Sequence, residues 1–195
     1  MTNPLTQFAT WYTDAAQHPA IADASVMTLA TATPDGKPAA RVLLLKEHGP
    51  QGFVFYGNME SRKFRELAEN PHAALCFFWQ PLGRQVRVEG TVARVSEAEA
   101  DAYFATRGRG KQVGAWASLQ SSPMPDREAL KRRVAEMEAR FANVDPIPRP
   151  PHWSGYRLTP LTMEFWHEGE FRLHERARYT RADATSAWQE EWLFP

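Results

Sequence analysis

Short runs of β-branched and aromatic residues, separated by turn chemistry, recur along most of the chain and limit what it can fold into. Val26–Thr33 and Ala39–Lys46 are apolar with little helical periodicity, and Pro34-Asp35-Gly36 between them has the composition of a hairpin turn. Gly52–Tyr56 and His72–Trp79 read as further strands. Gln85–Val95 alternates in part, with Val86, Val88 and Val92 on one face and Gln85, Arg87, Glu89 and Thr91 on the other. Pro146-Ile147-Pro148-Arg149-Pro150-Pro151 must run extended, and strand-like segments follow near Gly155–Trp166, Phe171–Tyr179 and Ala187–Leu193. Helical patterns fall between these strands without the regular alternation of a parallel doubly wound sheet. The expectation is a mainly β, antiparallel barrel, closed or partly closed, with peripheral helices. At 195 residues the chain is expected to be one domain, with about residues 1–20 as an N-terminal helix and about 145–195 as C-terminal strands.

The helices announce themselves by caps and stripes. Asn3 followed by Pro4 suits an N-cap and first helical residue, and Leu5, Phe8, Tyr12 and Ala15 then share one face. Asn58 and Ser61 offer caps for a helix carrying Phe64, Leu67 and Ala68, which Asn70-Pro71 stops. Ser96 with Glu99 three residues on forms a capping box opening a helix to about Arg107, and Gly108-Arg109-Gly110 reads as a polar turn after it. Pro125–Phe141 places Leu130, Val134, Met137 and Phe141 on one stripe of a surface helix.

Composition removes several function classes. Lys plus Arg and Asp plus Glu each number 23, so no global field draws the chain onto nucleic acid or an anionic membrane, and anion chemistry must be local. The single cysteine, Cys76, makes neither an internal disulfide nor a thiolate zinc site, and its setting in Ala73–Trp79 is that of a buried small hydrophobe. No apolar run approaches the roughly 18 residues of a membrane span, and the polar start lacks a secretory pattern, so the expected location is cytoplasmic. There is no GxGxxG after a strand, no Walker lysine loop, no HExxH and no GxSxG. The six histidines show no metal-ligand spacing, and no metal is expected.

Positive charge is concentrated locally instead. In a strand, Arg172, His174, Arg176 and Arg178 would all point to one side, which suits anionic groups or, equally, an exposed solvated face. Ser61-Arg62-Lys63 sits at a helix start, where free N–H groups and the helix dipole favour an anion, although the same residues suit an ordinary solvated first turn. Tyr103 and Arg107 are i,i+4 neighbours able to hold one phosphate, with Lys111 slightly beyond. Arg41 and Lys46 bracket Val42-Leu43-Leu44-Leu45 and face opposite sides of a sheet. These donors suffice for two phosphates.

In order along the chain stand Arg41–Lys46, Gly52–Tyr56, Ser61–Lys63, Arg84–Gly90, Gly114–Ser118, Gln120-Ser121, Pro148–Pro151, Glu164-Phe165-Trp166 and Arg172-Leu173-His174. With these motifs the chain resembles the pyridoxamine 5'-phosphate oxidase family from about Asn3 to its C-terminus. The resemblance implies an FMN-binding split barrel, a homodimer with two flavin sites at the interface, and the making of pyridoxal 5'-phosphate in vitamin B6 metabolism. It implies FMN contacts at Arg41, Val42, Leu43, Leu44, Leu45, Lys46, Tyr56, Gly57, Arg62, Lys63, Gln85, Gln120, Ser121, Trp166 and Arg176. It implies substrate contacts at Lys46, Tyr103, Arg107, Lys111, Arg172, Leu173 and His174, with Arg172 and His174 nearest the reacting carbon. Hydride would pass from C4' of pyridoxamine or pyridoxine 5'-phosphate to flavin N5, with oxygen as the final acceptor and hydrogen peroxide as product.

Some positions depart from the family pattern. Gly57 stands where Thr is usual, Lys111 where Ser is usual and Glu175 where Asp is usual, and the ending Trp192-Leu193-Phe194-Pro195 lacks an Arg before Leu. Competing readings are a related split-barrel flavoprotein acting on another small molecule, a non-catalytic carrier of FMN or pyridoxal phosphate, and a nucleic-acid-binding barrel, which the neutral net charge disfavours.

Overall fold

The computed structural model describes residues 3–195. In chain order its elements are α1 (Pro4–Gln17), β1 (Val26–Ala32), β2 (Pro38–Leu44), β3 (Glu47–Gly49), β4 (Gly52–Asn58), α2 (Arg62–Glu69), β5 (His72–Trp79), β6 (Arg84–Arg94), α3 (Glu97–Ala105), α4 (Arg109–Ala117), α5 (Glu128–Arg140), β7 (Trp153–His167), β8 (Glu175–Thr180) and β9 (Gln189–Trp192). The chain divides into two compact units. One takes the residues up to Phe55 with Glu66–Ala93 and Arg157–Pro195, and the other takes Tyr56–Arg65 and Arg94–Tyr156.

The sheet belongs mainly to the first unit. Its neighbours run β2-β1-β5-β6-β7-β4-β3, with β8 added to β7 and β9 to β8. The hairpin expected at Pro34-Asp35-Gly36 forms: β1 and β2 pair antiparallel from Val26↔Leu44 to Ala32↔Pro38, and Gly36 takes a positive φ of 83° that suits glycine. Alternation sets the inward face. Met27, Leu29 and Thr31 of β1 and Ala73, Leu75, Phe77 and Trp79 of β5 are buried, while their in-between neighbours are more open. At Gly90 a Cβ would sit 1.9 Å from the Thr159 carbonyl oxygen, so the approach of β6 to the backbone of β7 requires glycine there.

Helix α1 packs on this unit as its stripe implies. The Asn3 Oδ1 accepts from the Leu5 N–H at 2.9 Å, capping the helix one residue before Pro4. Phe8, fully buried, meets Phe53 at 4.8 Å and Phe77 at 5.1 Å between ring centroids, both edge-on. Arg84 fastens the outer side, its guanidinium 2.7 Å from Asp14 and 4.7 Å above the Trp11 ring.

The second unit is helical. The capping box before α3 is present in full: Ser96 Oγ accepts from Glu99 N–H, and the Glu99 carboxylate accepts from Ser96 N–H. Val113 of α4, Phe141 and Ile147 form a buried cluster, with Trp116, Val134 and Met137 packed against it. On α5, Leu130 is exposed and Ala129 is buried in its place, so the inward stripe begins one residue earlier than the sequence pattern suggested.

Three sequence expectations are corrected. Gly108-Arg109-Gly110 is not merely a turn. It starts α4, with extended Gly108 as N-cap and its carbonyl accepting from Lys111 N–H at 2.8 Å. The short strand β3 was not anticipated. The strand expected over Phe171–Tyr179 begins only at Glu175, because residues 170–172 form a short 3-10 turn in which Phe171 and Arg172 have positive φ of 54° and 65°. Arg172 and His174 therefore do not share a strand face with Arg176 and Arg178. No helix among the described residues is long and apolar enough to cross a membrane.

Candidate functional site

Within the second unit, two groups of cationic, polar and aromatic side chains assemble. The first lies at the start of α2. Lys63 is buried, and its Nζ donates to Ser61 Oγ at 3.0 Å and to Gln120 Oε1 at 3.1 Å. One residue on, Ser121 adopts a left-handed φ of 71°, and its Oγ accepts from the Arg62 backbone N–H at 3.2 Å. Asn58 holds this loop from the other side by donating to the Ser118 carbonyl at 3.2 Å. Arg62 and Lys63 are thus brought together with Gln120 and Ser121, some sixty positions away in the chain. A buried ammonium, amide and hydroxyl donors and a helix N-terminus are the chemistry of a phosphate site.

The second group is an aromatic stack capped by a cation. Tyr56 and Tyr103 stack at 4.2 Å and 14°, and Tyr56 stacks on Trp153 at 5.3 Å and 4°. The Arg107 guanidinium lies 4.8 Å over the Trp153 ring. Its Nη1 is buried and has no hydrogen-bond partner among the described residues. Burial pushes the Arg107 pKa down and the nearby Tyr103 opposes this, yet a guanidinium stays protonated at neutral pH. A buried donor atom left unmet on a half-buried cation is unfavourable unless an acceptor completes it, so this geometry fits an anionic group. Lys111 is exposed in the first turn of α4.

Arg149 braces this stack from behind. Its guanidinium donates to Asp101 at 2.6 Å, to Glu97 and to the Trp153 carbonyl at 2.5 Å, linking α3 to the start of β7. Sequence reasoning named neither Trp153 nor Arg149 as individual site residues, although Pro148–Pro151 was among the motifs. Their only local signal is the rigid proline-rich lead-in, and the contacts they make are long-range.

In the first unit, Arg41 is engaged by its neighbours. It donates to Thr31 Oγ1 at 2.6 Å and to buried Glu66 at 3.2 Å. Val42 and Leu44 are exposed on β2, Leu43 is half-buried, and Leu45 is buried beyond the strand's end, followed by exposed Lys46. Gln85 lies on β6 in register with Phe78. Arg176 donates to the buried Glu164 carboxylate at 2.9 Å and to the Phe194 carbonyl at 3.0 Å, and is in register with Trp166. Trp166 meets the His174 ring at 4.6 Å, and Leu173 and Arg172 are exposed on the turn before it. Arg178 is paired with Glu191, so the two cations that do share the β8 face are already neutralised.

Two further points settle earlier questions. At Gly57 a Cβ would meet the Phe64 ring at 3.3 Å, so the glycine goes with close packing on that phenyl group. Cys76 is half-buried, more open than the sequence suggested, and burial still raises its thiol above the usual value, which disfavours the thiolate.

Comparisons with known proteins identify the family. The family described as "Pyridoxamine 5'-phosphate oxidase" matches residues 13–141, and "Pyridoxine 5'-phosphate oxidase C-terminal dimerisation region" matches residues 153–195. The pyridoxine/pyridoxamine 5'-phosphate oxidase of Myxococcus xanthus strain DK1622 is 55% identical over 193 residues, covering 99% of this chain and 92% of the relative. That of Sphingopyxis alaskensis is 54% identical over 194 residues, covering 99% and 88%. Among solved structures, PhzG from Burkholderia lata 383, in complex with tetrahydrophenazine-1-carboxylic acid, is 34% identical with a TM-score of 0.90, covering all of this chain and 94% of that one. A pyridoxamine 5'-phosphate oxidase-related, FMN-binding protein from Nostoc punctiforme has a TM-score of 0.79 at 19% identity, with full coverage of both chains, and shares the fold. The fold is the antiparallel split barrel with peripheral helices that the sequence predicted. The chain belongs to the pyridoxine/pyridoxamine 5'-phosphate oxidase family of oxidoreductases.

Proposed function

We propose that the protein is an FMN-dependent oxidase that converts pyridoxamine 5'-phosphate or pyridoxine 5'-phosphate to pyridoxal 5'-phosphate, with molecular oxygen as acceptor and hydrogen peroxide as product. The observation that carries this reading is the pair of separate anion-binding groups in the second unit, one for a flavin phosphate and one for a substrate phosphate. Arg62, Lys63, Gln120 and Ser121 would hold the flavin phosphate, and Tyr103 and Arg107, with Lys46 and Lys111, the substrate phosphate. The other proposed flavin contacts are Arg41–Lys46, Tyr56, Gly57, Gln85, Trp166 and Arg176, and the other substrate contacts are Arg172, Leu173 and His174. When bound, FMN supplies the two-electron acceptor for the hydride from C4'. The chain's own residues bind both phosphates, fix the substrate's orientation and surround it with donors, which is catalysis by positioning and electrostatics. Arg172 and His174 are the proposed residues nearest the reacting carbon. The active form is proposed to be a cytoplasmic homodimer. In keeping with that, Phe171, Leu173, Trp192 and Phe194 are exposed large apolar side chains within the segment that matches the dimerisation region.

A second reading, a split-barrel flavoprotein acting on another small molecule, draws support from the PhzG likeness. One experiment separates them. The FMN-loaded protein is titrated anaerobically with pyridoxamine 5'-phosphate while the visible flavin absorbance is followed, and air is then admitted. Bleaching, recovery in air and accumulation of pyridoxal 5'-phosphate are expected. Flavin that binds and never bleaches would sink the substrate assignment.

A further inference from the structure

We propose that Gly169 is the positioning residue for His174: its backbone N–H holds the imidazole as the Nε2–H tautomer, so that His174 meets the substrate as a neutral hydrogen-bond donor and not as a base. The inference rests on the function proposed above for its chemical meaning, and on the turn itself for its geometry. The Gly169 N–H lies 3.2 Å from His174 Nδ1. A backbone amide can only donate, so Nδ1 must present its lone pair, and in a neutral imidazole the proton then resides on Nε2. The ring is also fixed from its face by Trp166, with centroids 4.6 Å apart.

The turn permits this contact only with glycine. A Cβ at residue 169 would lie 2.0 Å from the Leu173 carbonyl oxygen and 2.8 Å from its carbon, both of them backbone atoms. The loop is closed by the Leu173 N–H donating to the Glu170 carbonyl at 3.0 Å, and its base is tied by the Glu168 N–H donating to the Gly83 carbonyl at 2.8 Å. Phe171 and Arg172, both in the left-handed region, complete the tight reversal that returns the chain to His174. The strain sits in the segment proposed to touch substrate, and its structural product is one imidazole in one tautomer. With Nδ1 facing the Gly169 donor, the neutral ring carries its proton on Nε2. It can orient and polarise a substrate oxygen or nitrogen through Nε2–H.

The test is nitrogen NMR of holoenzyme carrying 15N-histidine, with the His174 signals identified by their loss in His174→Gln. A protonated Nε2 and an unprotonated Nδ1 at neutral pH are expected in the wild-type protein, and a protonated Nδ1 overturns the proposal. This readout involves no turnover, so it stands or falls independently of whether pyridoxamine 5'-phosphate reduces the flavin. In Gly169→Ala, the His174 signals should move to a mixture of tautomers, and an unchanged pure Nε2–H form would remove Gly169 from its role. Kinetics give a second arm. Glutamine keeps an N–H donor near the Nε2 position and supplies no base, so His174→Gln should turn over about tenfold faster than His174→Ala. Equal losses in both variants would count against a donor role.

Discussion

Arg107 is a half-buried cation that lies on an aromatic face and has one buried donor, Nη1, with no partner among the described residues. A charged hydrogen bond to phosphate contributes on the order of 1.5–3 kcal/mol. Arg107→Met should therefore raise the KM for pyridoxamine 5'-phosphate by roughly 10- to 150-fold in steady-state kinetics, with flavin content unchanged. An unaltered KM would remove Arg107 from the substrate-phosphate role. Lys63 makes the complementary case. Because its ammonium is buried with Ser61 and Gln120, Lys63→Met should weaken flavin retention, measured as the Kd of FMN for the apoprotein, by a similar factor while leaving the KM of the fully loaded enzyme nearly constant. Both residues stood out in the sequence because their local spacing suggested anion chemistry, and the structure adds the contacts each one makes. Trp153 was not, since what makes it matter is a ring stack built from residues at 56, 103 and 153, which no local pattern encodes.

Arg149 acts as a strut for helix α3. Arg149 joins Glu97, Asp101 and the Trp153 carbonyl, and the acidic partners are largely exposed, so solvent screens part of the attraction. The carbonyl would be left unmet on truncation. Arg149→Met should lower unfolding stability in urea by about 1–3 kcal/mol, whereas Arg149→Lys should recover part of it through a single contact. A change below the error of the unfolding midpoint would show that the strut is redundant. At this scale the caps of α1 and α3 were readable, because Asn3 and the Ser96–Glu99 pair act within three residues of themselves. Helix α4 was hidden because its glycines lower helix propensity, and burial of Val113 and Ala117 overrides that preference. The turn before β8 was hidden for a different reason. Left-handed backbone at Phe171 and Arg172 is imposed by the surrounding contacts, and neither residue type signals it.

For the molecule as a whole, His48 is one source of acid sensitivity. His48 is half-buried against Phe8 and Tyr12, and burial pushes its pKa below the ordinary 6.5, with Glu47 opposing. The unfolded chain therefore binds a proton at higher pH than the native one. The stability supplied by neutral His48 is fully present above the unfolded value and is lost as pH falls through the native value. Between about pH 7 and about pH 5, urea midpoints of the wild type should fall more steeply than those of His48→Gln, and parallel curves would exclude His48 as the sensor. Sedimentation should also return twice the chain mass of 22.2 kDa, and Trp192→Glu should shift the population toward single chains. The unit that holds Lys63 and Arg107 is stitched from Tyr56–Arg65 and Arg94–Tyr156, with the other unit's residues between them in sequence. No contiguous stretch of the gene carries it. A recombination crossover falling within codons 66–93 would separate its two halves onto different products, so this chemistry must be inherited whole, and any graft of it must bring two pieces of chain at once.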